Sequence, residues 1–217
     1  MDIILNKETG KEKYFLPTKW SQVKLGQFME VQRHSENEEL GDVVRLCKIV
    51  SALTGMSIKD IQSMPLDNLT TLRVQITLLL EKKAKTKLKN IININGTQYG
   101  FHPNLSKLTL GEFVDLESYI KQGVNQNLDG IMAVLYRPII AIKGEKYDIE
   151  PYNPTEERKE LFREHFTADN ITGSSVFFLS LGKQLIKTMA IYSPQMMKHL
   201  KKRATQQTSS KDGDGIK

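Results

Sequence analysis

An eleven-residue phrase occurs twice in this chain: SQVKLGQFMEV at 21–31 and SKLTLGEFVDL at 106–116, an offset of 85. Ser, Leu, Gly and Phe are identical in the two copies. Five of the other seven positions are conservative: Val23/Leu108, Gln27/Glu112, Met29/Val114, Glu30/Asp115 and Val31/Leu116. Composition bias does not produce such an echo in a chain of mixed composition. The pattern points to a duplicated supersecondary unit, and it constrains the fold before any single element is assigned.

The surroundings of each copy extend the echo. Upstream of the second lies IININGTQYGFHP, where alternating apolar residues flank Asn95-Gly96, a strong short-range hairpin signal. Upstream of the first lies DIILNKETGKEKYFLP, two short apolar runs around a polar turn, and Tyr14 and Tyr99 share the offset of 85. The phrase itself starts a helix. Thr109 and Glu112 form a capping-box pattern, whereas the matching cap position in the first copy is Lys24. Phe28 and Phe113 follow Leu25 and Leu110 by three residues, on one helical face. Gly26 and Gly111 cost helix propensity, so their repetition points to close approach of backbone, in our reading that of the preceding strand.

Further on, the apolar runs at 42–55 and 129–141 both read as helices. DNLTTLRV (67–74) then answers DNITGSSV (169–176), now at an offset of 102, which places an insertion in the second copy within IKGEKYDIEPYNPT. Apolar helical runs follow both, and Asn153, Pro154 and Glu156 supply cap, first-turn proline and N3 acid for a helix through EERKELFREHF. The expected fold is α+β, predominantly α-helical, a tandem duplication in which each unit is a β-hairpin followed by three or four helices. Residues 1–88 form the first lobe, 89–193 the second, and 194–217 a basic amphipathic helix and polar tail. The expected buried set is Trp20, Leu25, Phe28, Leu46, Ile49, Leu79, Leu110, Phe113, Leu135, Phe177 and Phe178.

Chemistry is harder to find. The histidines, His34, His102, His165 and His199, are scattered without ligand spacing, and His102 reads as a turn residue before Pro103. No phosphate-cradling glycine loop, dinucleotide fingerprint or nucleophile elbow is present. Asp148 and Glu150 read as solvated acids rather than a catalytic pair. The single cysteine, Cys47, sits in an apolar run and excludes an intramolecular disulfide. No stretch reaches the roughly 18 to 20 apolar residues of a membrane span, and the N-terminal sequence turns polar too early for a signal peptide. We therefore expect no catalytic, metal or cofactor site.

Net charge is +6, concentrated in two runs. Lys82, Lys83, Lys85, Lys87 and Lys89 make a weak candidate for phosphate contact, but no aromatic residues interleave them, so nucleic acid is not favoured as a partner. In the second run, Met196, Met197 and Leu200 share an apolar face with Lys198, Lys201, Lys202 and Arg203 around it, a candidate docking helix for a partner's groove. The repeat motif, Leu25, Gly26, Phe28, Leu110, Gly111 and Phe113, is read as structural.

Taken together, LPTKWSQVKLGQFMEV, VSALTGMSIKDIQSMPLDNL, GFHPNLSKLTLGEFVDLE, LYRPI, KYD, EERKELFREHF and FFLSLG resemble small proteins from the structural gene modules of tailed bacteriophages. These are tail assembly chaperones, tail-ring, baseplate or other virion proteins. The resemblance spans about residues 16 to 182 and carries no catalytic residues. It implies a non-enzymatic ring or connector component of neck, tail or baseplate, assembled in the host cytoplasm into the virion. Its partners would be portal, tail or baseplate proteins and further copies of itself, since two similar lobes let one subunit meet two symmetry-related neighbours. A chaperone absent from the finished particle is the alternative, and a basic nucleic-acid-binding protein the second.

Overall fold

Each copy of the phrase is preceded by an antiparallel hairpin. In the first, β1 (Asp2–Lys7) pairs with β2 (Gly10–Phe15); in the second, β3 (Ile91–Ile94) pairs with β4 (Thr97–Phe101). Asn95 and Gly96 both take positive φ, 52° and 83°, the twist a two-residue hairpin requires. The computed structural model describes residues 1–7, 10–82, 88–144 and 146–172. The chain divides into two compact units, Met1–Ser175 and Val176–Lys217, and every described residue belongs to the first.

A short 3-10 turn follows each hairpin, at Trp20–Gln22 and Leu105–Lys107. Helices then begin at equivalent residues of the phrase: α1 spans Leu25–Glu36 and α5 spans Leu110–Gln122. Thr109 Oγ1 accepts from the Glu112 amide at 3.3 Å while Glu112 Oε2 accepts from the Thr109 amide at 2.5 Å, the expected capping box. At α1 the Gln27 side chain reaches back to the Lys24 amide at 2.9 Å, and the Leu25 amide donates to the Phe166 carbonyl at 2.7 Å. A long-range backbone bond thus supplies what Lys24 cannot.

Three further helices follow among the described residues: α2 (Asp42–Thr54), α3 (Ile58–Gln62) and α4 (Leu66–Glu81). The second half differs. Helix α6 (Leu128–Leu135) stops where β5 (Tyr136–Lys143) begins, so the apolar run expected to be one helix switches to strand at Tyr136. Pro138 explains the switch: it cannot donate to a helix, and it drives the residue before it into extended backbone. Strand β5 turns into β6 (Lys146–Ile149), and the second sheet runs β3-β4-β5-β6. The end of β5 and all of β6 fall within 142–155, the segment where the sequence reading places an insertion. Helix α7 (Glu156–His165) follows, capped by Thr155, whose side chain accepts from the Arg158 amide, two residues beyond the expected Asn153. Helix α8 covers Ala168–Thr172.

The core crosses the midpoint of the chain. Helix α1 packs on α2 and also on α6 and α7. An antiparallel bridge joins Lys24 to Thr167, and the Ala168 amide donates to the Val23 carbonyl at 2.8 Å. Five aromatic rings, Tyr99, Phe101, Tyr136, Phe162 and Phe166, cluster with centroids 5.2 to 6.3 Å apart. Fully buried Tyr136 satisfies its hydroxyl on the Lys89 carbonyl at 2.7 Å.

The two phrases do not bury the same face. Leu25 and Phe28 are buried, as are Trp20, Ile49, Leu79 and Leu135, but Leu110 is 60% exposed and Phe113 half-buried, contrary to expectation. Leu46 is also only half-buried. Helix α1 lies among three helices, whereas α5 packs mainly on α6 and turns Glu112 and Leu116 inward. The paired glycines also differ from expectation. A Cβ on Gly26 would sit 3.3 Å from the Arg163 carbonyl of α7, and one on Gly111 would lie 3.5 Å from the Tyr152 ring. The close neighbour is a later element in each case, not the preceding strand. Phe177 and Phe178 lie outside the described residues.

Candidate functional site

Arg137 is the only charged residue in the run IMAVLYRPIIAI, and β5 carries it into the interior, where it is buried. A buried guanidinium requires a partner. Glu112, only 1% exposed, provides it: Arg137 Nη2 lies 2.5 Å from Glu112 Oε1. The same carboxylate holds the Thr109 amide through Oε2, so one side chain closes the α5 cap and neutralises β5. His102, at the end of β4, places Nε2 3.5 Å from Glu112 Oε1 and accepts from the Asn104 amide through Nδ1 at 3.3 Å. Burial is the main cause holding His102 below the ordinary histidine pKa; Glu112 pulls upward and Arg137 pushes further down.

Around this pair lies a second layer. Arg137 stacks over the Tyr152 ring at 5.7 Å, and the Tyr152 hydroxyl donates to Asp115 one turn along α5. Burial first, then that bond to Asp115, raises the Tyr152 pKa well above the ordinary phenol value. Arg158 pairs with Glu150 and reaches the Asn153 carbonyl at 3.3 Å, fastening α7 to the chain after β6. Neither Glu112 Oε1 nor Arg137 Nε makes a directed hydrogen bond. The arrangement locks α5, β4, β5 and the β6–α7 connection together. Its acid and base are engaged with each other, and the pair holds α5 against β5.

Sequence reasoning passed over this cluster. Glu112 was legible as a cap, and His102 was read as a turn residue, whereas it is buried. The missed signal was a lone arginine inside a long apolar run, which announces a buried counter-charge somewhere in the fold.

The outer surface has a different character. Among the described residues strand β1 pairs only with β2, and their outward face exposes Ile4 (61%) and Phe15 (47%). The β5–β6 hairpin similarly exposes Ile140 (62%) and Ile142 (57%), with a bulge between Ile139 and Ala141. Helix α4 buries Leu72, Ile76 and Leu79 while Val74 and Leu78 stay exposed.

Most of the expected binding residues lie outside the described residues. Lys82 ends α4, where Nζ donates to the Thr18 carbonyl at 3.0 Å and its own carbonyl accepts from Trp20 Nε1 at 2.9 Å. The Lys89 carbonyl serves Tyr136. Lys83, Lys85 and Lys87 lie outside the described residues, as do Met196, Met197, Lys198, Leu200, Lys201, Lys202 and Arg203. Glu150 pairs with Arg158 rather than with Asp148, and Cys47 is buried. Among the described residues no helix is long and apolar enough to cross a membrane, and no group of three His, Cys, Asp or Glu side chains is gathered to hold a metal. Comparison with protein-family models, with curated proteins and with solved structures finds no match.

Proposed function

We propose that this chain is a non-enzymatic building block of a tailed-bacteriophage particle, a ring or connector component of neck, tail or baseplate that works through protein–protein contacts. The observation that carries the reading is a pair of hairpins that each expose large apolar side chains, Ile4 and Phe15 on one and Ile140 and Ile142 on the other. Apolar side chains grouped on strand surfaces are an interaction feature, because water disfavours leaving them uncovered. The sequence resemblance supplies the biological setting.

The same reading makes the two phrases products of a tandem duplication. Supporting it is the order of elements: hairpin, 3-10 turn at Trp20 and Leu105, helix at Leu25 and Leu110, the last two pairs both offset by 85. The different burial of Leu25 and Leu110 fits two copies that diverged in their neighbours, with an extra hairpin in the second. Two related faces on one subunit suit a ring, where each protomer meets two neighbours.

Quantitative mass spectrometry of purified particles tests the proposal. A fixed stoichiometric ratio to the portal is the expected result. Abundance in infected cells combined with absence from particles would reject the ring or connector role in favour of an assembly chaperone.

A further inference from the structure

The backbone of β1 has a direction that can be read from its ladder. Met1 and Leu16 exchange two hydrogen bonds, each 2.8 Å, which makes them a closely bonded pair. Such pairs alternate along an antiparallel ladder. With Asp2 opposite Phe15 and Ile4 opposite Lys13, the amides of Met1, Ile3, Leu5 and Lys7 therefore face β2. Those of Asp2, Ile4 and Asn6 face away. No hydrogen bond within the described residues reaches these three outward amides.

We propose that this edge is the seam of a two-fold homodimer, in which a second copy's β1 pairs antiparallel about Ile4 to give the sheet β2-β1-β1-β2. A two-fold axis through Ile4 maps Asp2 onto Asn6 and Ile4 onto itself, so the free amides and carbonyls of one edge meet those of the other in register. Two hydrogen bonds form at each of these pairs. On the outward face the carboxylate of Asp2 meets the amide of Asn6, and Ile4 meets Ile4. On the opposite face Ile3 meets Leu5.

Charge agrees with this register. Asp2 is already balanced by Lys13 at 2.8 Å, and Lys7 by Glu12 at 2.7 Å and Asp60 at 2.9 Å. The other edge of the hairpin fails the same test. Its outward amides belong to Lys11, Lys13 and Phe15, so pairing about Glu12 sets Lys11 against Lys13, and pairing about Lys13 sets that residue against itself. Strand β1 also lacks the devices that protect an edge: it has no proline, no bulge and no charged residue at its centre. A two-stranded hairpin is marginal in water, and two more strands relieve that weakness. The inference deepens the self-association part of the proposed function and rests on the strand edge alone, not on the phage setting.

Sedimentation equilibrium of the full chain, with substitutions at exposed Ile4, tests it. The wild type is expected to show a concentration-dependent monomer–dimer equilibrium. Ile4→Lys places two ammonium groups across the axis and weakens dimerisation at least about tenfold. An equimolar mixture of Ile4→Lys and Ile4→Glu chains restores a heterodimer, which misfolding would not do. Under mild oxidation Ile4→Cys forms a covalent dimer, while Ile3→Cys, displaced from its own mate, does not. A wild type that stays monomeric at the highest attainable concentration overturns the seam. So does a dimer that Ile4→Lys leaves intact, or one that cross-links better through Ile3→Cys. Particle stoichiometry is untouched by any of these results, so the two proposals fail separately.

Discussion

At the level of single residues, the Glu112–Arg137 pair decides how α5 sits on the second sheet. Burying both charges costs desolvation that their attraction only partly offsets, so the pair is a device for one arrangement rather than for stability. Removing one partner is therefore worse than removing both. Arg137→Met should cost about 3–5 kcal/mol by leaving Glu112 alone in the interior. The double variant with Glu112→Leu should recover most of that loss. Urea unfolding of the four proteins of the cycle measures it, and a double-variant loss equal to the sum of the two single losses would show that the charges act independently. His102 adds a pH dependence. Its folded pKa lies below the ordinary 6.5 because burial disfavours the imidazolium. As pH falls through 6.5 the unfolded chain binds a proton that the folded chain resists, so stability is full above about 7 and declines below 6.5. The slope is at most about 1.4 kcal/mol per pH unit for one histidine. His34, shifted the same way chiefly by its own burial, contributes a second such term. His102→Gln should flatten the decline between pH 6.5 and 5 in thermal unfolding, and adding His34→Gln should flatten it further. A wild-type slope preserved in the double variant would remove both histidines from the account. The lone arginine in an apolar run announces that a buried counter-charge exists, but which residue supplies it, and that His102 is buried, are not local properties of the sequence.

Elements were more legible than the faces they bury. Hairpin and helix starts follow from signals within a few residues: Asn95-Gly96 for the β3–β4 turn, and the Thr109–Glu112 box for α5. The helix-to-strand switch at Tyr136 was hidden, because a short apolar run reads equally as either, although Pro138 was the available cue. The cap of α7 moved from Asn153 to Thr155 because a threonine directly ahead of Glu156 competes for the same role. Burial of a helix face depends on what lies beside it, and that explains the failure at Leu110. Identical residues in the two phrases should consequently behave differently. Phe28 is buried, edge-on to Trp20 with ring centroids 5.6 Å apart, so Phe28→Ala should cost about 3–5 kcal/mol. Phe113 is half-buried, and its truncation should cost less than half as much. Chemical denaturation of the two variants side by side gives the comparison, and equal losses would mean that α5 has a cover like that of α1.

For the molecule as a whole, the sequence divides near residues 86–90, but the described core does not. Helix α1 comes from the first half and is covered by α6 and α7 from the second. Its first amide is satisfied by Phe166, and the bridge from Lys24 to Thr167 closes the same contact. Gln27 ties α1 to the Leu53 carbonyl at 2.9 Å, and Glu36 ties it to Asn125 at 2.6 Å, so its polar anchors also reach both halves. Separating the halves would expose Leu25 of α1 and the aromatic group around Tyr136 together. Each fully buried side chain of that size contributes about 1.5–3 kcal/mol, and a domain's net stability is only about 5–15 kcal/mol. A few such exposures exceed what either half has in reserve. A split between residues 85 and 86 should therefore give two fragments with no cooperative thermal transition alone. Mixing them should restore one transition, because the contacts they share are apolar faces and backbone bonds that need no covalent link. Circular dichroism melts of each fragment and of the mixture decide the matter. Two independent sigmoidal melts would mean that each copy of the phrase organises a self-sufficient lobe. A single melt seen only in the mixture would mean that the repeated sequence builds two halves of one core.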